Sequence, residues 1–379
     1  MKVQRLLFIV SMSVVLFSCG GSSNNNNGDW LTRSVFSGQN RIGSVAFTLN
    51  NIGYVSTGFD GIYYYNDLWS YDPIQNSWTQ IDTFPGPKRA LGVAFATSSF
   101  GYVGAGWNGS GVNGSQLFYL NDFYRYDPTG NTWTQIPNMP TPNNSGRKFA
   151  TAFGFGAPYN LGGVVGGYDG QYLYNDFYRY DEASGNWFAD NNYPGPKRQG
   201  AVSWVYDDGH GPAAYLITGT GDNGINLSDF WRYRPGKTTG SKWDDSLRRI
   251  QGVTDQSYDA GYRIARTNAV AFQGMNGTVN KAYITFGSNG GSLIDCWEYD
   301  YPTDLWTQKD NFPPGGGRVG AVAMTLNAPG PGPNAALRPS GFVGLGGSSL
   351  SAGVGGTFYS DWTEFFPDLP YNQDDYYVQ

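Results

Sequence analysis

Histidine and cysteine are nearly missing from this 379-residue chain, which has one His and two Cys. A zinc site built on several histidines, or a nucleophile activated by His, therefore lacks parts. The lone His210 sits in Asp207-Asp208-Gly209-His210-Gly211-Pro212, a turn sequence that reads as surface. No metal or other cofactor is expected. Two cysteines cannot form a disulfide framework, and Cys296, beside Trp297 in a strand-like stretch, reads as a buried thiol. Charge is scarce as well: 24 basic residues face 30 acidic ones, a formal net charge of −6. Nucleic acid is excluded as a partner, because binding it calls for a basic face. Long apolar runs are missing too. The longest, Leu6 to Ser18 behind Lys2 and Arg5, is too short to span a bilayer and suits the core of a cleaved leader.

What the chain has instead is 55 Gly, 28 Tyr, 23 Phe and 12 Trp. Aromatics supply the buried area that a disordered chain lacks, so the composition reads as turn-dense all-β. An internal repeat organises it. Arg41, Arg89, Arg147, Arg198, Arg266 and Arg318 are each followed three places on by Ser44, Gly92, Ala150, Ala201, Ala269 or Ala321. A second series, Asp67, Asp122, Asp176, Asp229, Asp295 and Asp361, leads into Trp78, Trp133, Trp187, Trp243 and Trp306. The sixth Asp has no Trp at that spacing after it. The missing one is Trp30, which precedes the first Arg, so the two ends of the chain close a ring. A period of roughly fifty residues is that of a propeller blade.

Each repeat divides into four strands. After each Arg comes an alternation such as Gly92-Val93-Ala94-Phe95 or Ala269-Val270-Ala271-Phe272. Period two means strand, and tiny residues on one face suit the strand nearest a ring axis. An apolar run ending in Gly follows, then the Asp-headed strand, then the Trp strand and a Pro-rich turn such as Phe84-Pro85-Gly86-Pro87-Lys88-Arg89. The spacing from Asp229 to Trp243 is 14 where the other four are 11, so the fourth repeat carries a three-residue insertion. Arg125, Arg179 and Arg232, each between aromatics, read as a cation-π ladder along the blade flank.

This order of Arg, Gly pair, Asp strand and Trp resembles the kelch repeat, over residues 30 to about 367. The resemblance implies an all-β, six-bladed kelch-type β-propeller with four antiparallel strands per blade, its last blade completed by an N-terminal outer strand. The Gly pair reads as intact at Gly166-Gly167 and Gly346-Gly347 and as degenerate at Thr57-Gly58, Ala105-Gly106, Thr218-Gly219 and Phe286-Gly287. Galactose oxidase shares the kelch propeller, but its family's copper site needs two His, and this chain has one.

The Leu16-Phe17-Ser18-Cys19-Gly20 stretch resembles the lipobox of bacterial lipoproteins. It implies a signal peptide over 1–18, a lipidated Cys19 with a flexible tether over 19–28, and one propeller domain over 29–379. Without its first 18 residues the chain has a net charge of about −8. Gly20 after the Cys favours the outer membrane of a Gram-negative cell, with the lipid as sole anchor and the protein a monomer.

In a propeller, the loops between blades and those between second and third strands emerge on one face. The six arginines are thus expected around one mouth of the channel, joined by Lys88, Lys148 and Lys197. Two readings stand for them: a cationic rim for carboxylate or phosphate ligands, or a staple in which each Arg binds neighbouring carbonyls and a local Asp. In kelch proteins that bind acidic peptides, the arginines of this repeat position contact the ligand. Phe59, Trp107 and Tyr168, ahead of the loops Asp60-Gly61, Asn108-Gly109 and Asp169-Gly170, are expected on the same rim, where rings hold sugar faces or peptide side chains. The loop from Trp107 to Leu120 is long enough to fold over it. The expected function is recognition of a glycan or an acidic protein segment. The enzyme alternative is a sugar-isomerising activity like that of the sialate mutarotases, which are also kelch propellers, with Asp60, Asp169 and Asp222 as candidate acid-base carboxylates. A passive protein scaffold is the third possibility.

Overall fold

A computed structural model describes residues 27–109, 119–190, 193–247, 262–313, 316–330, 334–350 and 356–372. The leader with Cys19, most of the Trp107 to Leu120 loop and most of the Asp244 to Tyr262 excursion lie outside the described residues. After β1 (Asp29–Thr32), blade 1 is built from β2 (Val45–Leu49), β3 (Ile52–Ser56), β4 (Asp67–Asp72) and β5 (Ser77–Thr83). Blade 2 follows with β6 (Val93–Ala96), β7 (Gly101–Gly104), β8 (Phe123–Asp127) and β9 (Thr132–Ile136), and blade 3 with β10 (Thr151–Phe155), β11 (Leu161–Val165), β12 (Phe177–Asp181) and β13 (Asn186–Ala189). Blade 4 holds β14 (Val202–Asp207), β15 (Pro212–Ile217), β16 (Phe230–Tyr233) and β17 (Trp243–Asp244). Blade 5 holds β18 (Val270–Asn276), β19 (Val279–Thr285), β20 (Cys296–Asp300) and β21 (Leu305–Lys309), and blade 6 holds β22 (Val322–Pro329), β23 (Leu337–Gly344) and β24 (Trp362–Phe366).

Blade 6 takes its fourth strand from the start of the chain. β1 pairs antiparallel with β24, Trp30 opposite Phe365, which gives the order β1-β24-β23-β22. Trp30 is fully buried against Phe312, with ring centroids 5.0 Å apart, and against Phe365 at 4.4 Å. The ring closure read from the Trp offset is therefore the closure seen.

The alternation of sizes along each first strand sorts its two faces. Ala46, Ala94, Ala152, Ser203, Ala271 and Ala323 line the channel, where six strands converge and only small side chains fit. The large partners point into the blade interfaces. Phe47 stacks on Tyr54, Phe95 on Tyr102, Trp204 on Tyr215 and Phe272 on Tyr283, each across a register pair. Each large side chain also reaches the next blade. A Cβ on Gly101 would lie 2.2 Å from the Phe47 ring and one on Gly162 2.1 Å from the Phe95 ring, so glycine at the start of these second strands is the hole that receives the knob. Cys296 is fully buried in the cluster with Trp30, Phe272 and Phe365, and burial pushes its thiol pKa well up, which makes it inert.

Candidate functional site at the channel mouth

The six arginines do lie at one end of the blades, but none is more than 1% exposed. Each guanidinium grips the Asp that heads its own blade's third strand. Arg89 Nη1 and Nη2 donate to Asp122 Oδ1 and Oδ2 at 2.6 and 2.7 Å, and Arg41, Arg147, Arg266 and Arg318 make the same two-pronged contact with Asp67, Asp176, Asp295 and Asp361. Arg198 reaches Asp229 through one oxygen, which also accepts from Trp231 Nε1 and the Tyr193 hydroxyl. In every blade Nη1 also donates to the carbonyl that ends the second strand's run, for example Ala105 O at 2.9 Å and Leu345 O at 3.1 Å. With each charge matched by its Asp and each Nη1 tied to a backbone carbonyl, the set forms six internal staples. The open cationic rim, one of the two readings of the sequence, is not formed by these arginines. Of the cations placed on this face from sequence, Lys88 and Lys197 are exposed and Lys148 is half-buried.

The Gly pair explains how neighbouring staples join. Its second member is glycine in all six blades, and the N–H of Gly58, Gly106, Gly167, Gly219, Gly287 and Gly346 donates to the carbonyl of the next blade's Arg, from Gly58 to Arg89 round to Gly346 and Arg41. The positive φ at these glycines and a Cβ position 2.8 Å from Ala90 O at Gly106 leave room for nothing larger. The first member has φ between 52° and 67°, the left-handed region that an L residue can occupy with some strain, which is why Thr57, Ala105, Thr218 and Phe286 are accepted there. In blade 6 the pair is Leu345-Gly346, not Gly346-Gly347 as the sequence pattern suggested: Gly347 instead pairs with Val319.

Just outside the staples, each blade extends by three bridged residues: the residue after the Arg, the residue after the second Gly, and one from the following loop. These are Ile42, Phe59 and Tyr64 in blade 1, then Ala90, Trp107 and Tyr119, then Lys148, Tyr168 and Leu173. Blades 4 to 6 supply Gln199, Thr220 and Asn226, then Thr267, Ser288 and Ser292, then Val319, Gly347 and Phe358. The mouth is thereby split. From blade 6 through blade 3 it is a crescent of rings, in which Phe59 meets Tyr64 at 4.5 Å, Tyr64 meets Trp107 edge-on at 5.9 Å and Tyr119 meets Tyr168 edge-on at 6.3 Å. Across blades 4 and 5 it is an arc of amides and hydroxyls, with Asn226 Nδ2 donating to Ser288 O and Asn289 Oδ1, and a buried Gln199 Oε1 that accepts nothing. Phe59, Trp107 and Tyr168 are thus brought together as expected.

Inside the crescent lies a cavity of about 330 Å³ walled by Ile42, Phe59, Tyr64, Leu91, Trp107 and Phe149, with Lys148 at its edge. Leu91 and Phe149 adopt φ of 58° and 57°, where blades 1, 4 and 6 place Gly43, Gly200 and Gly320. A bulky residue there is strained by about 1–3 kcal/mol. A chain of backbone bonds between blades holds it, running from Phe149 N to Leu91 O, Leu91 N to Gly43 O and Gly43 N to Gly320 O.

The carboxylates expected to do acid-base work are used otherwise. Asp60 Oδ1 accepts the N–H of Ile62 and Tyr63, and its Oδ2 accepts the Tyr65 hydroxyl; Asp169 does the same with Gln171, Tyr172 and Tyr174. Partial burial works to raise each carboxyl, but those donors outweigh it and hold both below the usual range. Both are ionised turn caps. Asp222 is exposed on its loop, where Asn223 makes the corresponding cap to Ile225 N. His210 is at the opposite face, in the turn joining β14 to β15, with its side chain 81% exposed and 3.6 Å from Asp208. No group of three or more His, Cys, Asp or Glu able to hold a metal occurs among the described residues. The flank ladder is partly as read: Arg125 covers Phe100 and Arg179 covers Phe188, whereas Arg232 pairs with Asp208 and Asp244.

Comparison with known proteins bears on the fold. The Kelch motif matches residues 102–140, which span the second, third and fourth strands of blade 2. No curated protein matches the sequence. The solved structure of YjhT superposes with a TM-score of 0.61 at 16% identity, covering 87% of this chain and 96% of that one, which is a likeness of fold. With the motif matched in one blade and the Arg, Gly and Asp series repeated in all six, the chain is a six-bladed β-propeller that carries a kelch motif.

Proposed function

We propose that this propeller is a recognition module that binds a glycan across its channel mouth. One observation carries the reading: the division of the mouth into a crescent of half-buried rings and a facing arc of amides and hydroxyls. A sugar ring offers an apolar C–H face and a rim of hydroxyls, and each finds its complement on one side of the opening. The rigid staples beneath suit binding, since a preformed site spends little free energy on ordering itself. An acidic protein segment is supported less well, because the arginines that would meet it are interior. The proposal includes the lipid anchor at Cys19, outer-membrane attachment and a monomeric state. Sugar isomerisation by Asp60, Asp169 and Asp222 is supported less well, as Asp60 and Asp169 cap turns.

A soluble form beginning at Gly28, probed on a glycan array, tests the reading. Trp107→Ala and Asn226→Ala, on opposite sides of the mouth, should each weaken the same hits by roughly tenfold or more. An array without hits, or hits indifferent to both changes, sinks it. Turnover of a bound sugar that disappears in Asp169→Asn would restore the enzyme alternative.

A further inference from the structure

The six positions that follow the stapled arginines form an inner ring around the opening: Ile42, Ala90, Lys148, Gln199, Thr267 and Val319. Lys148 alone among them is charged. Its ammonium lies over the Trp107 ring at 4.5 Å and within 6 Å of the Tyr119 and Phe149 rings, and it makes no ion pair within the described residues. Two acidic side chains of the same blade are committed elsewhere, Asp169 to its turn and Tyr174, Asp176 to Arg147. The cation is half-buried at the edge of the apolar cavity, and desolvation lowers its pKa. An ammonium so placed keeps part of its desolvation cost uncompensated until an anion arrives.

The cavity itself is not a by-product of regular geometry. Two of its walls are the strained Leu91 and Phe149, at positions where glycine would relieve the strain and open the wall. At about 330 Å³ it has room for one sugar residue rather than a chain, at the small end of the ~300–1,000 Å³ range of ligand clefts.

Building on the glycan reading above, we infer that this cavity is a subsite for a single oxyanion-bearing sugar residue, its ring against Trp107 and its carboxylate or sulfate ester paired with Lys148. Lys148 is then the residue that selects acidic over neutral glycans. The apolar walls strengthen the pair by excluding water, and Trp107 fixes both partners at once.

The test uses the folded protein and a panel in which each uronate oligosaccharide is matched by its carboxyl-reduced form and each sulfated one by its desulfated form. The wild type should prefer the acidic members by roughly ten- to a hundredfold. Lys148→Met should remove that preference, bringing acidic members down to the affinity of their neutral counterparts, and Lys148→Arg should restore it. Methionine is tolerable there, since Ile42 and Val319 fill the same ring position, and an unchanged unfolding midpoint verifies it. The two arms separate carboxylate from sulfate. Neutral glycans bound as tightly as acidic ones, or an acidic preference that survives Lys148→Met, overturns this inference and leaves glycan recognition intact. A panel with no member bound overturns both.

Discussion

Changing Arg89 to Met asks whether the six-fold charge series holds the wheel together. The guanidinium is fully buried and its partner Asp122 is 13% exposed. Removing it strips donors from both Asp122 oxygens and from the carbonyls of Ala105 and Pro87. Breaking a buried pair from one side costs ~3–5 kcal/mol, most of it the carboxylate left behind. The double change Arg89→Met with Asp122→Leu should therefore cost less than the two single changes added together, by about 2 kcal/mol. Arg179→Met supplies the contrast: its pair with Asp190 is 3.3 Å long with side chains 24% and 28% exposed, the kind worth ~0–1 kcal/mol. Urea unfolding followed by tryptophan fluorescence reads all four, with an unchanged slope required for the comparison. If Arg89→Met shifts the midpoint no more than Arg179→Met does, the staple is wrong and the arginines are free to serve a ligand.

Further expectations concern the joints and the closure. Gly106→Ala should destabilise by about 2 kcal/mol or more, because its φ of 99° and a Cβ 2.8 Å from Ala90 O leave no accommodation, while Ala105→Gly should stay within about 1 kcal/mol; equal midpoints for the two would contradict the account of the pair. Trp30→Ala should cost ~3–5 kcal/mol and make β1 the first segment cut by a protease, since the strand loses its anchor between Phe312 and Phe365. Asp169, held below its ordinary pKa when folded, adds stability that is complete above the unfolded value near 3.9 and disappears as pH falls through the lower folded one. The stability gap between wild type and Asp169→Ala should accordingly narrow below about pH 4 in urea titrations; a gap that widens on acidification would refute the turn-cap role.

Architecture was legible because it is repeated. Six copies of a two-residue-period strand with Ala or Ser on one face and Phe, Trp or Met on the other allow one packing, and the displaced Trp30 gave the closure that β1 and β24 form. The arginine question was harder, since nothing local to Arg89 shows that Asp122 will sit against it. The clue was present in the counts: one Arg and one Asp recur per blade in matched positions, and a buried cation needs such a partner. The blade 6 glycines misled for a plainer reason. Three glycine-compatible positions run together at Leu345-Gly346-Gly347, and only the bond from Gly346 N to Arg41 O fixes which is the joint. The strained Leu91 and Phe149, and the inner-ring Lys148, carry no motif at all. Their signal is variation: between the constant Arg and the small residue three places on, the first intervening position differs in every blade and the second departs from glycine in three of them.

That variation is what a symmetric frame permits. The staple, the glycine joint and the knob in the next blade's second strand are spent on holding six units together, and the six arginines among them are buried. The residues immediately outside are bridged to the frame through backbone atoms, so their side chains are free to change without loosening it. Were the mouth merely the end of a structural ring, six similar outer layers would serve. Instead four blades present rings around a strained apolar cavity and two present amides and hydroxyls, an asymmetry that adds nothing to closure and, at Leu91 and Phe149, subtracts from stability. Strain retained where glycine would remove it, beside an ammonium without an ion pair among the described residues, is what the proposed recognition would use at the crescent rather than at the arginines below it.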